Sequence, residues 1–206
     1  MAVKGLRKFL YNELNEEETG YNEEEPKVLA LACSVKVSLG TNSEAMYADD
    51  EKQYEDNSIT SIGITIEGED DALEIFAPIL GKSSKKITIN DEETEEVISS
   101  TNDIPKRVGF GYIEARTSKR KGDYYRAKVY KKVTFKDFET DSETKGEKTT
   151  FKKPTIEGTG YPIDGDWKWE ADFINVENAV AYILKKLKQT NFKETEEVSE
   201  AYLETE

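Results

Sequence analysis

The chain is predicted to be mainly β: an antiparallel β-sandwich or partly closed barrel, with one flanking C-terminal α-helix and one short helix. Three observations carry this. Short apolar runs alternate at a period of two, glycine and polar clusters punctuate them, and only one stretch near the C-terminus keeps a helical period. Strands and helices do not alternate as βαβ units, so at least seven strands and two helices belong to one antiparallel domain. The length, 206 residues, suits one domain and is short for two.

Residues 1–27 read as an N-terminal arm, with Leu6, Phe9, Leu10 and Leu14 as contact points and an acidic run over 13–25. Residues 28–39 form a strand with Val35, Val37 and Leu39 on one face. A long polar loop follows over 40–57, and loops of that length in a compact domain are usually functional or disordered. Ile62, Ile64 and Ile66 alternate with small or polar residues, as in a half-buried strand. A short helix starts at Ala72 and runs to about Leu80; Pro78 limits it and Gly81 ends it. Residues 85–89 and 95–99 are weaker strands around an acidic turn.

Val108, Phe110, Tyr112 and Glu114 alternate with Gly109, Gly111 and Ile113, and the two glycines point to a strand over which a ring or backbone passes closely. Residues 124–135 form the longest strand. Tyr125, Ala127, Val129, Val133 and Phe135 share a face interrupted by Lys131, and Arg126, Lys128, Tyr130 and Lys132 lie opposite. After a polar loop over 136–148, residues 149–157 and 166–173 are strands, with Trp167, Trp169, Ala171 and Phe173 facing the core. Asn175 caps the helix 176–189, whose stripe is Val176, Ala179, Val180, Ile183, Leu184 and Leu187. Lys185, Lys186 and Lys188 suit its C-terminal dipole. The domain thus spans 28–189, and 190–206 is an acidic tail.

Composition narrows the function classes. Charged residues are 35% of the chain and apolar ones 36%, with 43 acidic against 29 basic residues and a net charge of −14. Nucleic-acid grip comes from neutralising phosphates, so such a chain repels DNA overall. There is no histidine, which removes the commonest proton shuttle and transition-metal ligand. The single cysteine, Cys33, cannot form an internal disulfide and reads as a buried small hydrophobe. No run is long and apolar enough to span a bilayer, and the first residues do not read as a signal peptide, so synthesis in a cytoplasm is expected.

The local motifs yield no catalytic, metal or cofactor site. Tyr47-Ala48-Asp49-Asp50 matches the aspartate pair of reverse transcriptases, but its flanks are polar and the chain is too small for a polymerase. The same stretch lacks the spacing and central glycine of an EF-hand loop. Gly81-Lys82-Ser83 lacks the first glycine of a P-loop, and Gly109-Phe110-Gly111 leads into a strand rather than a helix. Arg116, Lys119, Arg120, Lys121, Arg126, Lys128, Lys131 and Lys132 concentrate positive charge in one hairpin. The acidic segments 13–25, 49–56, 91–96 and the tail are expected to meet it in a neighbouring copy, as a head-to-tail contact would.

Taken in order, Tyr47-Ala48-Asp49-Asp50, Gly109-Phe110-Gly111-Tyr112, the strand 124–135 and Thr144-Lys145-Gly146-Glu147 leading to Phe151 resemble the major tail protein family of long-tailed, non-contractile bacteriophages. With Trp167 and the terminal helix, the resemblance covers roughly 28–188. It implies a fold similar to the tube protein of type VI secretion systems, and hexameric rings stacked into a tail tube through which double-stranded DNA passes. The implied partners are other copies of the chain, the tape-measure protein, the tail-tip or distal tail protein and the tail terminator, with the virion tail as location. Tyr47, Asp49, Asp50, Lys119, Arg120, Lys121, Thr144, Lys145 and Glu147 are then the expected inter-ring or inter-subunit contacts. Excess carboxylate along such a lumen would lower friction on DNA. The alternative is a carbohydrate- or ligand-binding β-sandwich of a phage baseplate or bacterial surface, using Trp167, Trp169 and nearby tyrosines; a metal-dependent nuclease is more remote.

Overall fold

A computed structural model describes residues 2–30, 32–41, 45–48, 51–55, 58–68, 73–137 and 155–193. It is mainly β with one substantial helix, and every strand pairing is antiparallel. The main sheet runs in the order β2 (Lys27–Ala30), β1 (Ala2–Glu13), β9 (Arg107–Ser118), β10 (Gly122–Phe135), β11 (Thr155–Tyr161), β6 (Ile59–Gly68), β3 (Ala32–Thr41). Its two ends, β2 and β3, are separated in sequence by residue 31 alone, yet they are not paired with each other, so the sheet does not close into a barrel. Two small hairpins stand as separate sheets: β4 (Ala45–Ala48) with β5 (Glu51–Glu55), and β7 (Ser83–Ile89) with β8 (Glu92–Ile98). The second turns on Asn90 and Asp91, both at positive φ, as a two-residue hairpin requires.

β10 is the axis of the molecule. Along 125–130 its free side pairs with β12 (Lys168–Phe173), and along 132–135 it pairs with β11. The sheet therefore forks along one strand. The fork falls where the β9–β10 register shifts between Tyr130 and Val133. A bulge adds a residue and reverses which face later side chains occupy. Tyr125, Ala127 and Val129 accordingly pack with α2 (Val176–Leu187), whereas Val133 and Phe135 join the opposite core with Ile62, Ile64, Ile66, Phe110 and Tyr112. This corrects the single continuous face expected from alternation. It also explains Lys131, the apparent interruption, which lies in the bulge.

Two apolar layers result, one enclosed by the coiled sheet and one between the sheet and α2. Each fully buried Ile or Phe contributes roughly 1.5–3 kcal/mol relative to exposure. α1 (Leu73–Phe76) is a single turn, shorter than expected, and Phe76, Ala77, Ile79 and Leu80 at and beyond its end are buried. Asn175 occupies the N-cap position of α2 without a side-chain capping bond. Cys33 is half-buried at a register shift in β3 rather than fully inside.

The largest departure is at the N-terminus. The segment expected to be an arm is an inner strand of the sheet: β1 lies between β2 and β9, with Phe9, Leu10 and Tyr11 buried. The acidic run behind it also folds onto its own body. Asn12, buried, directs Nδ2 at the carbonyls of Asn22, Glu24 and Leu187, and Tyr21 N–H donates to Gln189 O. Glu13 pairs with Lys106, Glu25 with Lys188, and Glu18 with both Arg107 and Lys132. Of the seven glutamates in this stretch, Glu13, Glu18 and Glu25 are thus answered by cations distant in sequence, and Glu24 by nearby Lys27.

Candidate functional site

The β9–β10 hairpin gathers the eight basic residues that sequence reasoning singled out and three of the nine expected contacts. Its turn is Lys119-Arg120-Lys121, closed by Gly122 at φ 71°. Lys119 and Arg120 are exposed and carry no ion pair among the described residues. Lys121 differs: its Nζ lies 2.7 Å from Asp172 and 5.5 Å from the centre of the Tyr124 ring.

Behind the turn, the hairpin and β12 share a ladder of compensated charges. Arg126 grips Asp172 through two bonds, 2.6 and 3.0 Å. The Arg126 hydrogen bonds, with Lys121, hold the Asp172 carboxyl down at about 2, and the same pairing raises Arg126. Glu114, buried, accepts from Arg116 at 2.6 Å and Lys128 at 2.7 Å. Two carboxylates thus pair with four of the hairpin's cations, which the sequence had suggested were free for a neighbouring copy, and the group keeps a net positive charge. Of the Lys119, Arg120 and Lys121 cluster, two cations remain unpaired within the described chain.

The bulge at Lys131 organises a second cluster. Its N–H donates to Trp167 O at 3.0 Å, and its carbonyl accepts the Tyr21 hydroxyl at 3.0 Å. Its ammonium meets Asp166 at 2.9 Å and sits over the Trp169 ring at 4.6 Å. Phe192 and Lys186 also face Trp169. Burial pushes the Tyr21 phenol well above its usual range, and does the same to Tyr112 and, to about 12, to Tyr130. Tyr112 and Tyr130 share a hydrogen bond of 3.3 Å.

Gly109 and Gly111 fulfil the expectation of close passage. A Cβ at Gly109 would lie 2.4 Å from the Tyr21 ring, and one at Gly111 would lie 2.6 Å from Cγ2 of Ile183. That glycine pair is therefore accounted for by packing of the chain on itself.

The remaining sequence-predicted contacts scatter. Tyr47 lies in β4, in register with Lys52. Asp49, Asp50, Thr144, Lys145 and Glu147 lie outside the described residues, as does most of the loop 136–148. Trp167 packs against Tyr130 and, with Tyr161, Ile59, Thr60, Ser61 and Thr159, lines a groove of about 440 Å³. Among the described residues no cluster of three or more Asp, Glu or Cys has metal-site geometry, and no helix is long and apolar enough to cross a membrane.

Sequence reasoning missed Glu18, Tyr21 and Glu114 as organisers. Tyr21 stands in an acidic stretch, and only the missing side chain of Gly109 hinted that a ring or a backbone would pass there. No protein-family model and no curated protein sequence matches this chain.

Proposed function

We propose that this chain is a structural subunit that assembles with copies of itself into stacked rings, of the phage tail-tube kind. The observation that carries the reading is the sheet that coils without closing. Its end strand β3 offers ten residues of backbone with no partner on one side among the described residues. Val35 and Val37 on that strand are half-buried and Leu39 is 46% exposed. An open strand edge is a hazard for a monomer and a joint for a subunit. The ordered motifs and the acidic excess support the same reading, and the turn cations Lys119 and Arg120 are its remaining charged contact on the hairpin. The N-terminal segment no longer serves it as a reaching arm, because β1 is built into its own sheet.

Electron microscopy and sedimentation of the purified chain test this. Rings or tubes are expected, and Leu39→Lys, which puts a charge on the open edge, is expected to abolish them while leaving the circular dichroism spectrum unchanged. A chain that stays monomeric at every concentration and in the presence of its tail partners would sink the proposal. The groove at Trp167 and Tyr161, with hydroxyls from Thr60, Ser61 and Thr159, favours one second reading, a saccharide-binding module. Persistent monomer together with specific glycan retention would put that reading first.

A further inference from the structure

The β7–β8 hairpin is exposed over most of its length. Ile87, Glu96 and Val97 are half-buried, and every other residue from Ser83 to Ile98 is exposed. A lone two-stranded hairpin is marginal in water and gains stability from a surface to lie on. Residues in register share a face, so Lys85 with Glu96, Ile87 with Thr94, and Ile89 with Glu92 form successive rows on one side. Toward the tip that side is apolar, with Ile89 58% exposed. Lys85 pairs with Glu96 and Lys86 with Glu93, which leaves Asp91, Glu92 and Glu95 without an ion pair among the described residues. A second open feature is an apolar groove of about 450 Å³ between α2 and the sheet, floored by the fully buried Ile113. To its lining α2 supplies Val176, Val180, Leu184 and, in its first turn, Glu177; β1 supplies Arg7 and Lys8. These three charged residues are exposed and also make no ion pair among the described residues.

We infer that the β7–β8 hairpin of one copy seats in this groove of the next, a heterologous contact that rests on the self-assembly reading. Ile87 and Ile89 cover the apolar residues of α2, and Glu92, in the row of Ile89, meets Arg7 and Lys8. Glu177 sets the direction. Lys85 lies about 13 Å from Ile89 along its strand, and Glu177 about 10 Å from Leu184 along the helix. With the hairpin tip at Leu184 and its base toward Val176, Lys85 falls beside Glu177 and is shared with Glu96. Turned round, the hairpin would set Glu92 against the Glu177 carboxylate. One orientation therefore answers both signs of charge in the groove. The contact is small, and repetition around a ring is what makes it count.

Zero-length carbodiimide cross-linking tests it, with equal amounts of ordinary and nitrogen-15 labelled full chain assembled together and the products read by mass spectrometry. A Glu92–Lys8 product that joins the two isotopes is expected. Lys8→Glu is expected to raise the concentration needed for assembly, followed by sedimentation, about tenfold, and Glu92→Lys in the same chain to bring it back. Ile89→Asp, at an exposed position, is expected to act like Lys8→Glu with the circular dichroism spectrum unchanged. Rings or tubes that form without the Glu92–Lys8 product, a product of one isotope only, or a Lys8→Glu defect that Glu92→Lys does not relieve would each overturn the seat while leaving self-assembly standing. A chain that forms no assembly of any kind would remove both.

Discussion

Replacing Gly111 with alanine tests how tightly the helix sits on the sheet. The added Cβ would stand 2.6 Å from Cγ2 of Ile183. Carbon atoms rest at about 3.5–4.0 Å, so roughly an ångström must be found. Ile183 cannot swing away freely, because it is fully buried with Ala179 and Leu187 along the same stripe. Overpacking of this kind costs about 1–3 kcal/mol, offset by about 0.5–1 kcal/mol from removing a glycine inside a strand. A net loss of about 1–2 kcal/mol is expected, or about 2–8 °C in Tm for a chain of this size. Ile183→Ala alone is expected to cost about 2–5 kcal/mol. In the double variant the new methyl occupies space that Ile183 has left, so the two losses should fall short of their sum by about 1–2 kcal/mol. Urea denaturation of all four proteins measures this. Additivity within about 0.5 kcal/mol, the usual result for residues not in contact, would refute the packing argument.

Other outcomes follow from the charges and phenols. Asp172 is held below its unfolded value, so its contribution is present above about pH 4 and is lost as pH falls toward about 2. Acid titration of stability should lose about 1 kcal/mol in that window after allowance for solvent screening, and Asp172→Asn should flatten it. Of the 11 tyrosines, Tyr21, Tyr112 and Tyr130 should stay protonated past pH 10, and the stability they lend should drain away as pH rises above 10, through about 12 for Tyr130 and higher for Tyr21 and Tyr112. Absorbance at 295 nm should show these phenols ionising only with unfolding. Asp166→Asn leaves the buried Lys131 ammonium without its carboxylate and should cost about 1 kcal/mol, with Lys131→Met in the same background recovering part of it. Lys119→Glu with Arg120→Glu should leave the melting curve within about 0.5 kcal/mol of the parent yet weaken assembly by sedimentation. Normal assembly of that variant would remove the turn as a contact.

The period of two along 62–66 and the helical stripe of 176–187 were legible because each faces one core throughout. The glycine pair in β9 was legible for a steric reason, since only missing side chains admit Tyr21 and Ile183. The bulge in β10 was not. Alternation assumes a constant register, and one extra residue at Lys131 exchanges faces without altering the composition of the strand. The N-terminal strand escaped notice because its central bulge breaks the same rhythm, with Arg7 and Lys8 beside buried Phe9 and Leu10. The basic hairpin looked like a surface for a neighbour because three of its partners, Asp166, Asp172 and Glu18, come from outside it, while the fourth, Glu114, lies on its own first strand. Pairing at such separations is a property of topology, which local pattern does not carry.

A backbone segment that belongs to two ladders at once is a mechanical bottleneck. Tension applied to the helical layer through β12 reaches β11, β6 and the open margin by two routes, along β10 and its kink and through the short covalent link 162–167. Loosening the junction in β10 would let the two parts of the sheet respond more separately to load, while keeping it tight makes them yield or hold together.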